Sequence, residues 1–222
     1  MAAQTDGKTP SLGPDERKRK QVDYTGTHIA LIRFPLDEEA ARFVQTQIAK
    51  EDLFAHPEVG KGRTVETDIH ITVHLGMDKP TLELRKVLAR IGTFQARLYG
   101  LDFFAQSKTL EDGTKVEWDL LYVIGDGSDR QLRWIHAAIG QICKVEYGFP
   151  MYIPHATLAR VKKGMGLKYS SRPFGPFAFH VRGITWRLFG NRTDKPDVIW
   201  LDADDDELDE IMHDSLPHKS IP

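Results

Sequence analysis

His70 and Thr72, in the run IHITVHLG (69–76), and His155 and Thr157, in IPHATLARV (153–161), form two copies of one small unit: an imidazole and, two residues on, a hydroxyl. In an extended strand, residues two apart share a face and lie about 6 to 7 Å apart along the backbone. In the first run Ile69, Ile71, Val73 and Leu75 alternate with His70, Thr72 and His74, so one face reads apolar and the other carries imidazole and hydroxyl. Imidazole titrates near neutrality, so two histidines suit taking a proton from a nucleophile and delivering one to a leaving oxygen. The threonine hydroxyls can donate to non-bridging phosphoryl oxygens. Present once in each half of the chain, the unit implies a cleft with a His-Thr pair on each wall.

His74 falls on the same alternation as His70, which places it in the cleft or toward solvent. Four strand residues span about 13 Å, too far for both rings to share one metal ion with ease. There is one cysteine, Cys143, and no HExxH, so no metal site is expected and no cofactor is implied.

The elements that must carry the two units follow from periodicity. THIALIRFP (27–35) alternates as a strand ended by Pro35, and LDEEAARFVQTQIAKED has acidic residues early and apolar ones at helical spacing. A helix is expected near 81–91, a strand or pair of strands over 94–105, a turn at EDGT and a strand over 116–124. The stretch from Ser128, a candidate N-cap, to Tyr147 reads as a long helix. After the second motif strand, FAFHVRGITWRLFG and DVIWL supply two more strands. No glycine-rich dinucleotide loop appears, so the pattern points to an α+β protein of two related halves rather than a doubly wound nucleotide fold.

The chain has 222 residues, 41% hydrophobic, enough for a substantial core. Residues 1–23, rich in Pro, Gly and charge, read as a flexible basic arm. Residues 24–202 read as the folded domain and 203–222 as an acidic tail or short helix. Net charge is −2, but eight of the 32 acidic residues lie between Asp202 and Asp214, which leaves the body mildly basic. That suits a phosphate-bearing ligand and falls short of the footprint of a general nucleic-acid binder. The single cysteine, the lack of a membrane-length apolar run and the lack of a secretory signal imply a cytoplasmic protein with no membrane partner.

With HITV (70–73) and HATL (155–158) on two strands 85 residues apart, an early apolar strand, a Leu-Gly after the first motif and a proline before the second histidine, the chain resembles the 2H phosphoesterase superfamily over roughly residues 24–202. The resemblance implies two pseudo-symmetric lobes, each an antiparallel sheet with flanking helices, around a central cleft. It also implies His70, Thr72, His155 and Thr157 as the catalytic set. PHATLARVKKGMGLKYSS is most similar to a phage-associated branch of that superfamily, which includes anti-CBASS phosphodiesterases acting on cyclic oligonucleotide signals.

Around the motifs, Lys162, Lys163 and Lys168 are candidates for phosphate contacts. Tyr24, Tyr152 and Tyr169, with Trp118, are candidates for stacking on bases. Trp134 and Trp186 read as core. The function expected is a metal-independent phosphodiesterase cleaving cyclic nucleotides, oligonucleotides or RNA ends, with no obligate protein partner. The alternative is a silent module that sequesters a cyclic nucleotide or RNA end; two proton-transfer groups argue against it, since binding alone needs cations and stacking surfaces.

Overall fold

Ile71 pairs with Ala156, and at that contact two four-stranded halves join into one antiparallel sheet of eight strands. The structure is a computed structural model that describes residues 24–33, 42, 44–125, 129–143, 152–172, 177–190 and 196–202. The expected arm, the acidic tail and the Ser128 cap lie outside the described residues, as does most of the helix expected after Pro35. Arg42 and Val44 to Thr46 are helical.

The strands are β1 (His28–Arg33), β2 (His70–Met77), β3 (Phe94–Thr109), β4 (Lys115–Gly125), β5 (His155–Lys162), β6 (Phe177–Val181), β7 (Gly183–Leu188) and β8 (Asp197–Trp200). Their order across the sheet is β6-β3-β4-β5-β2-β1-β7-β8. The two motif strands are central, and each half repeats the other outward from them: β4 flanks β5 as β1 flanks β2. This is the expected α+β architecture of two related halves.

FAFHVRGITWRLFG, expected as one strand, is two. β6 ends at Val181 and β7 begins at Gly183, yet they occupy the first and seventh places of the sheet. Strands lie about 4.8 Å apart, so in a flat sheet these two would be separated by nearly 30 Å. A single linking residue spans only a few ångströms. The sheet therefore curls until its two halves face each other, and the chain at Arg182 steps from one to the other.

Besides the partly described helical segment at Arg42 and Val44 to Thr46, the helices α1 (Leu82–Ala89), α2 (Asp129–Ile142) and α3 (Gly166–Ser170) pack against the sheet among the described residues. Thr81 caps α1 by accepting a hydrogen bond from the Leu84 amide at 3.2 Å. The apolar stripes Leu84 and Leu88 on α1, and Leu132, Ile135 and Ile139 on α2, are fully buried against Ile32, Ile71, Val73, Ala156 and Leu158 of the sheet. Those strand residues alternate with the motif histidines and threonines, so the helices cover one face and the His-Thr units lie on the other. Trp186 is in the core as expected, whereas Trp134 is 63% exposed on α2.

Candidate active site

The Ile71–Ala156 pair sets the register of the site. Carried one residue either way, it puts His70 opposite Thr157 and Thr72 opposite His155. Directly opposed side chains in antiparallel strands have Cβ atoms about 4.5 to 5.5 Å apart, and diagonal ones about 7 to 8 Å. The four side chains thus occupy the corners of one small patch, with the two histidines on a diagonal.

Both imidazoles are oriented in the same way. Nδ1 of His70 lies 2.5 Å from the carbonyl oxygen of Asp68, and Nδ1 of His155 lies 2.8 Å from that of Ile153, in each case two residues upstream. A carbonyl only accepts, so each ring donates from Nδ1 and keeps Nε2 for proton exchange. Burial lowers the basicity of both rings, and the carbonyl at Nδ1 opposes it in each. Both rings therefore favour the neutral form.

The surroundings of the two rings differ. β1 sets Arg33 beside His70 and Leu31 beside Thr72, while β4 sets Ile124 beside His155 and Tyr122 beside Thr157. The Asp68 carboxylate lies 4.0 Å from His70 Nδ1 and accepts a hydrogen bond from Arg187 at 3.0 Å. Arg33 is 3.7 Å from its other oxygen. Burial pushes the Asp68 carboxyl up, but His70, Arg33 and Arg187 together hold it below the usual range. His155 is enclosed by rings instead: Phe104 at 5.2 Å and Tyr122 at 5.1 Å between centroids, both edge-on, with Phe104 and Tyr122 stacked on each other at 4.1 Å. Burial, with the Asp102 carboxylate beside it, raises the Tyr122 hydroxyl far above its ordinary value, so it stays a neutral donor. One half of the site is charged and the other aromatic.

His74 is not part of it. Thr72 pairs with Leu31 but His74 pairs with Ala30, so Val73 is an extra residue in β2, a β-bulge. The bulge breaks the alternation and turns His74 to the helix face, where it is 5% exposed and stacked on His136 of α2 at 4.5 Å. The second motif has the same device: Tyr122 pairs with Thr157 but Leu121 with Ala159, so Leu158 is the inserted residue. Burial along the two strands matches position for position, from His70 through Gly76 and from His155 through Val161.

The six flanking residues expected to bind substrate do not gather at the histidines. Tyr24 precedes the end of β1 remote from Arg33 and packs edge-on against Phe189 at 5.5 Å. Tyr152 stacks on the other side of His136, 4.2 Å away, against the core. Lys162 and Lys163 lie at the far end of β5, about 23 Å along the strand from His155. Lys163 pairs with Glu117 and Lys168 with Asp52, each at 2.5 Å. Tyr169 is 1% exposed, its hydroxyl donating to Asp52 and accepting from the Ala49 amide. The loop between them offers its backbone to Asp119, whose buried carboxylate accepts hydrogen bonds from Gly164 and Gly166 at 2.8 Å each. Amides that could have cradled a phosphate are already taken. Trp118, also a stacking candidate, is buried and lies flat against Phe54 at 5.5 Å.

Sequence reasoning missed Arg33, Asp68, Arg187, Phe104 and Tyr122. Arg33 and Asp68 flank the motif strands and were open to notice as charged residues there. Nothing local marks the other three, which reach the site only because β3, β4 and β7 take their places in the sheet.

No family model matches the chain, and no curated protein matches it. Several solved structures are similar. TT0787 of Thermus thermophilus is 18% identical over 79% of this chain and 98% of its own, with a TM-score of 0.49. Kluyveromyces marxianus Usb1 with uridine monophosphate is 9% identical over 78% of this chain and 97% of its own, at 0.48. E. coli LigT complexed with 3'-AMP is 18% identical over 77% and 92%, at 0.41. These likenesses extend to outline and leave the chemistry to the residues of this chain. Among the described residues no helix is long and apolar enough to cross a membrane, and no group of three or more His, Cys, Asp or Glu is arranged to hold a metal ion.

Proposed function

We propose that the protein is a phosphodiesterase that cleaves ribonucleotide phosphodiesters by acid-base catalysis between His70 and His155. The observation that carries this reading is the matched pair of imidazoles on adjoining strands, each anchored through Nδ1 to the carbonyl two residues upstream, each with a threonine beside it on the same face. A binding surface has no need of two rings held in one tautomer.

In the reaction, one Nε2 takes the proton of a ribose 2'-hydroxyl as its oxygen forms a bond to the neighbouring phosphorus. The bond from phosphorus to the 5'-oxygen breaks, and the second histidine, protonated, gives its proton to that oxygen. The product is a 2',3'-cyclic phosphate and a free 5'-hydroxyl. Thr72 and Thr157 donate to the non-bridging oxygens, whose charge grows in the transition state. Water in place of the 2'-hydroxyl opens a 2',3'-cyclic phosphate through the same proton transfers. The substrates proposed are cyclic oligonucleotides and 2',3'-cyclic phosphate ends, with a base against the half-buried Phe104 ring.

The test is chromatography of cyclic di- and trinucleotides, 2',3'-cyclic mononucleotides and 2',5'-linked oligoadenylate incubated with excess substrate in EDTA. Turnover is expected for at least one, and His70→Ala or His155→Ala should each lower it by about 10² to 10⁴-fold. Stoichiometric binding without turnover across the panel would make the protein a sequestering module. Replacing the ribose by 2'-deoxyribose at a 3',5' linkage should abolish cleavage there and leave binding intact; rapid cleavage of that analogue would rule out internal attack.

A further inference from the structure

The two halves of the site match in strand order, bulge and Nδ1 anchor, and they differ in charge: Asp68, held by Arg33 and Arg187, stands at His70, and rings stand at His155. Asp68 lends its carbonyl to His70 just as Ile153 does to His155, but Asp68 also brings a carboxylate to within 4.0 Å of the ring. We propose that Asp68 is a positioning residue that makes the histidines unequal: His70 holds the proton and delivers it to the leaving oxygen, and His155 removes the proton from the nucleophile. This rests on the phosphodiesterase reading above and assigns the roles that the motifs leave symmetric.

The charges around each ring support the assignment. From the segment before β2, Asp68 attracts the imidazolium of His70, and Glu66 adds a weaker attraction while itself engaged with Arg63 at 3.3 Å. From β7, Arg187 opposes them, but its guanidinium is bonded to the Asp68 carboxylate, and from β1 Arg33 lies against the other carboxylate oxygen. The two arginines fix the carboxylate in place beside the ring. Around His155 the facing groups are Phe104 of β3 and Tyr122 of β4, with the Asp102 carboxylate behind the Tyr122 hydroxyl. Burial, with no adjacent carboxylate among the described residues, favours the neutral ring there. Burial lowers both rings, and the Asp68 attraction offsets it in part at His70 alone, so the combination that one-step transfer needs, His70 protonated and His155 neutral, is favoured over its reverse. Each turnover moves one proton from the 2'-hydroxyl to His155 and one from His70 to the 5'-oxygen, and solvent exchange restores both.

The experiment is Asp68→Asn, which keeps the backbone carbonyl at His70 Nδ1 and removes the charge, read by the pH dependence of kcat/KM and by NMR titration of the two imidazoles. The acid sets the alkaline limb of the bell and the base the acidic limb. In Asp68→Asn the alkaline limb should move toward acid by about one pH unit, as loss of an opposite charge at that distance produces, with the acidic limb in place. Asp68→Glu should return the limb part of the way. In the wild-type protein, NMR should show His70 protonating at higher pH than His155, and this order should narrow or reverse in Asp68→Asn. An unmoved alkaline limb, a shifted acidic limb, or His155 protonating first would overturn the proposal. If no phosphodiester is turned over, the function fails on its own, and the NMR order still decides whether Asp68 distinguishes the rings.

Discussion

His74 lies flat against His136, ring centroids 4.5 Å apart and planes 10° from parallel, beneath the strand that carries His70 on its other face. Burial, and the repulsion His136 would exert on a second positive ring, lower the basicity of His74 from 6.5 to about 4. The unfolded chain therefore binds more protons than the folded one between those values, and stability rises with pH across that interval. It is complete above pH 6.5 and is lost as pH falls toward 4. The lowered basicity of His70 and His155 acts in the same direction. His74→Phe keeps a ring to stack on His136 and removes the titration. Urea midpoints measured from about pH 7 to about pH 4 should fall steeply for the wild-type protein and less steeply for the variant; equal slopes would show that the stack carries no proton linkage.

The Asp119 carboxylate ties the turn after β5 by two charge-assisted hydrogen bonds, and a Cβ at Gly166 would sit 2.4 Å from the Phe103 ring and 2.9 Å from Asp119. Asp119→Ala leaves two amides without their acceptor and should cost about 3 kcal/mol. Gly166→Ala should also destabilise, because the ring and the carboxylate must both give way. Urea unfolding measures both, and turnover below the transition should survive, since this turn lies at the end of β5 remote from His155.

Lys162, Lys163 and Lys168 replaced together by Ala should change kcat/KM by less than about threefold at physiological salt. Exposed charges well beyond a Debye length of about 8 Å are largely screened, and the strand separates them from His155 by more than twice that. A large loss in the triple variant would place the substrate along the whole of β5 and revive the lysines as phosphate ligands.

Thr72→Val and Thr157→Val preserve shape and β-branching and remove a single hydroxyl each. Each should lower kcat by up to about 10² to 10³-fold, the range for deleting one donor to a developing oxyanion, and each should be milder than loss of its neighbouring histidine. Steady-state kinetics on the best substrate of the panel, with circular dichroism to confirm folding, measures this.

The two His-x-Thr units, the alternation that puts each pair on one strand face and the division into two α+β halves could be read from residue order, because side-chain direction in a strand and apolar spacing in a helix are local properties. That reading fails for His74 at Val73: a bulge is a relation between β2 and its partner β1, and one inserted residue reverses every side chain after it. Tyr152, Tyr169 and the three lysines pack away from the two histidines for a related reason, since closeness in sequence to His155 or to the end of β5 does not give closeness in space. Phe104, Tyr122 and Arg187 had no local mark at all. They flank the histidines because β3, β4 and β7, from distant parts of the chain, pair in register around β5 and β2. Residue order was thus enough to find the two His-Thr units and their facing. The charges and rings that distinguish one histidine from the other were decided by strand pairing across the curled sheet, which depends on the burial of all eight strands together.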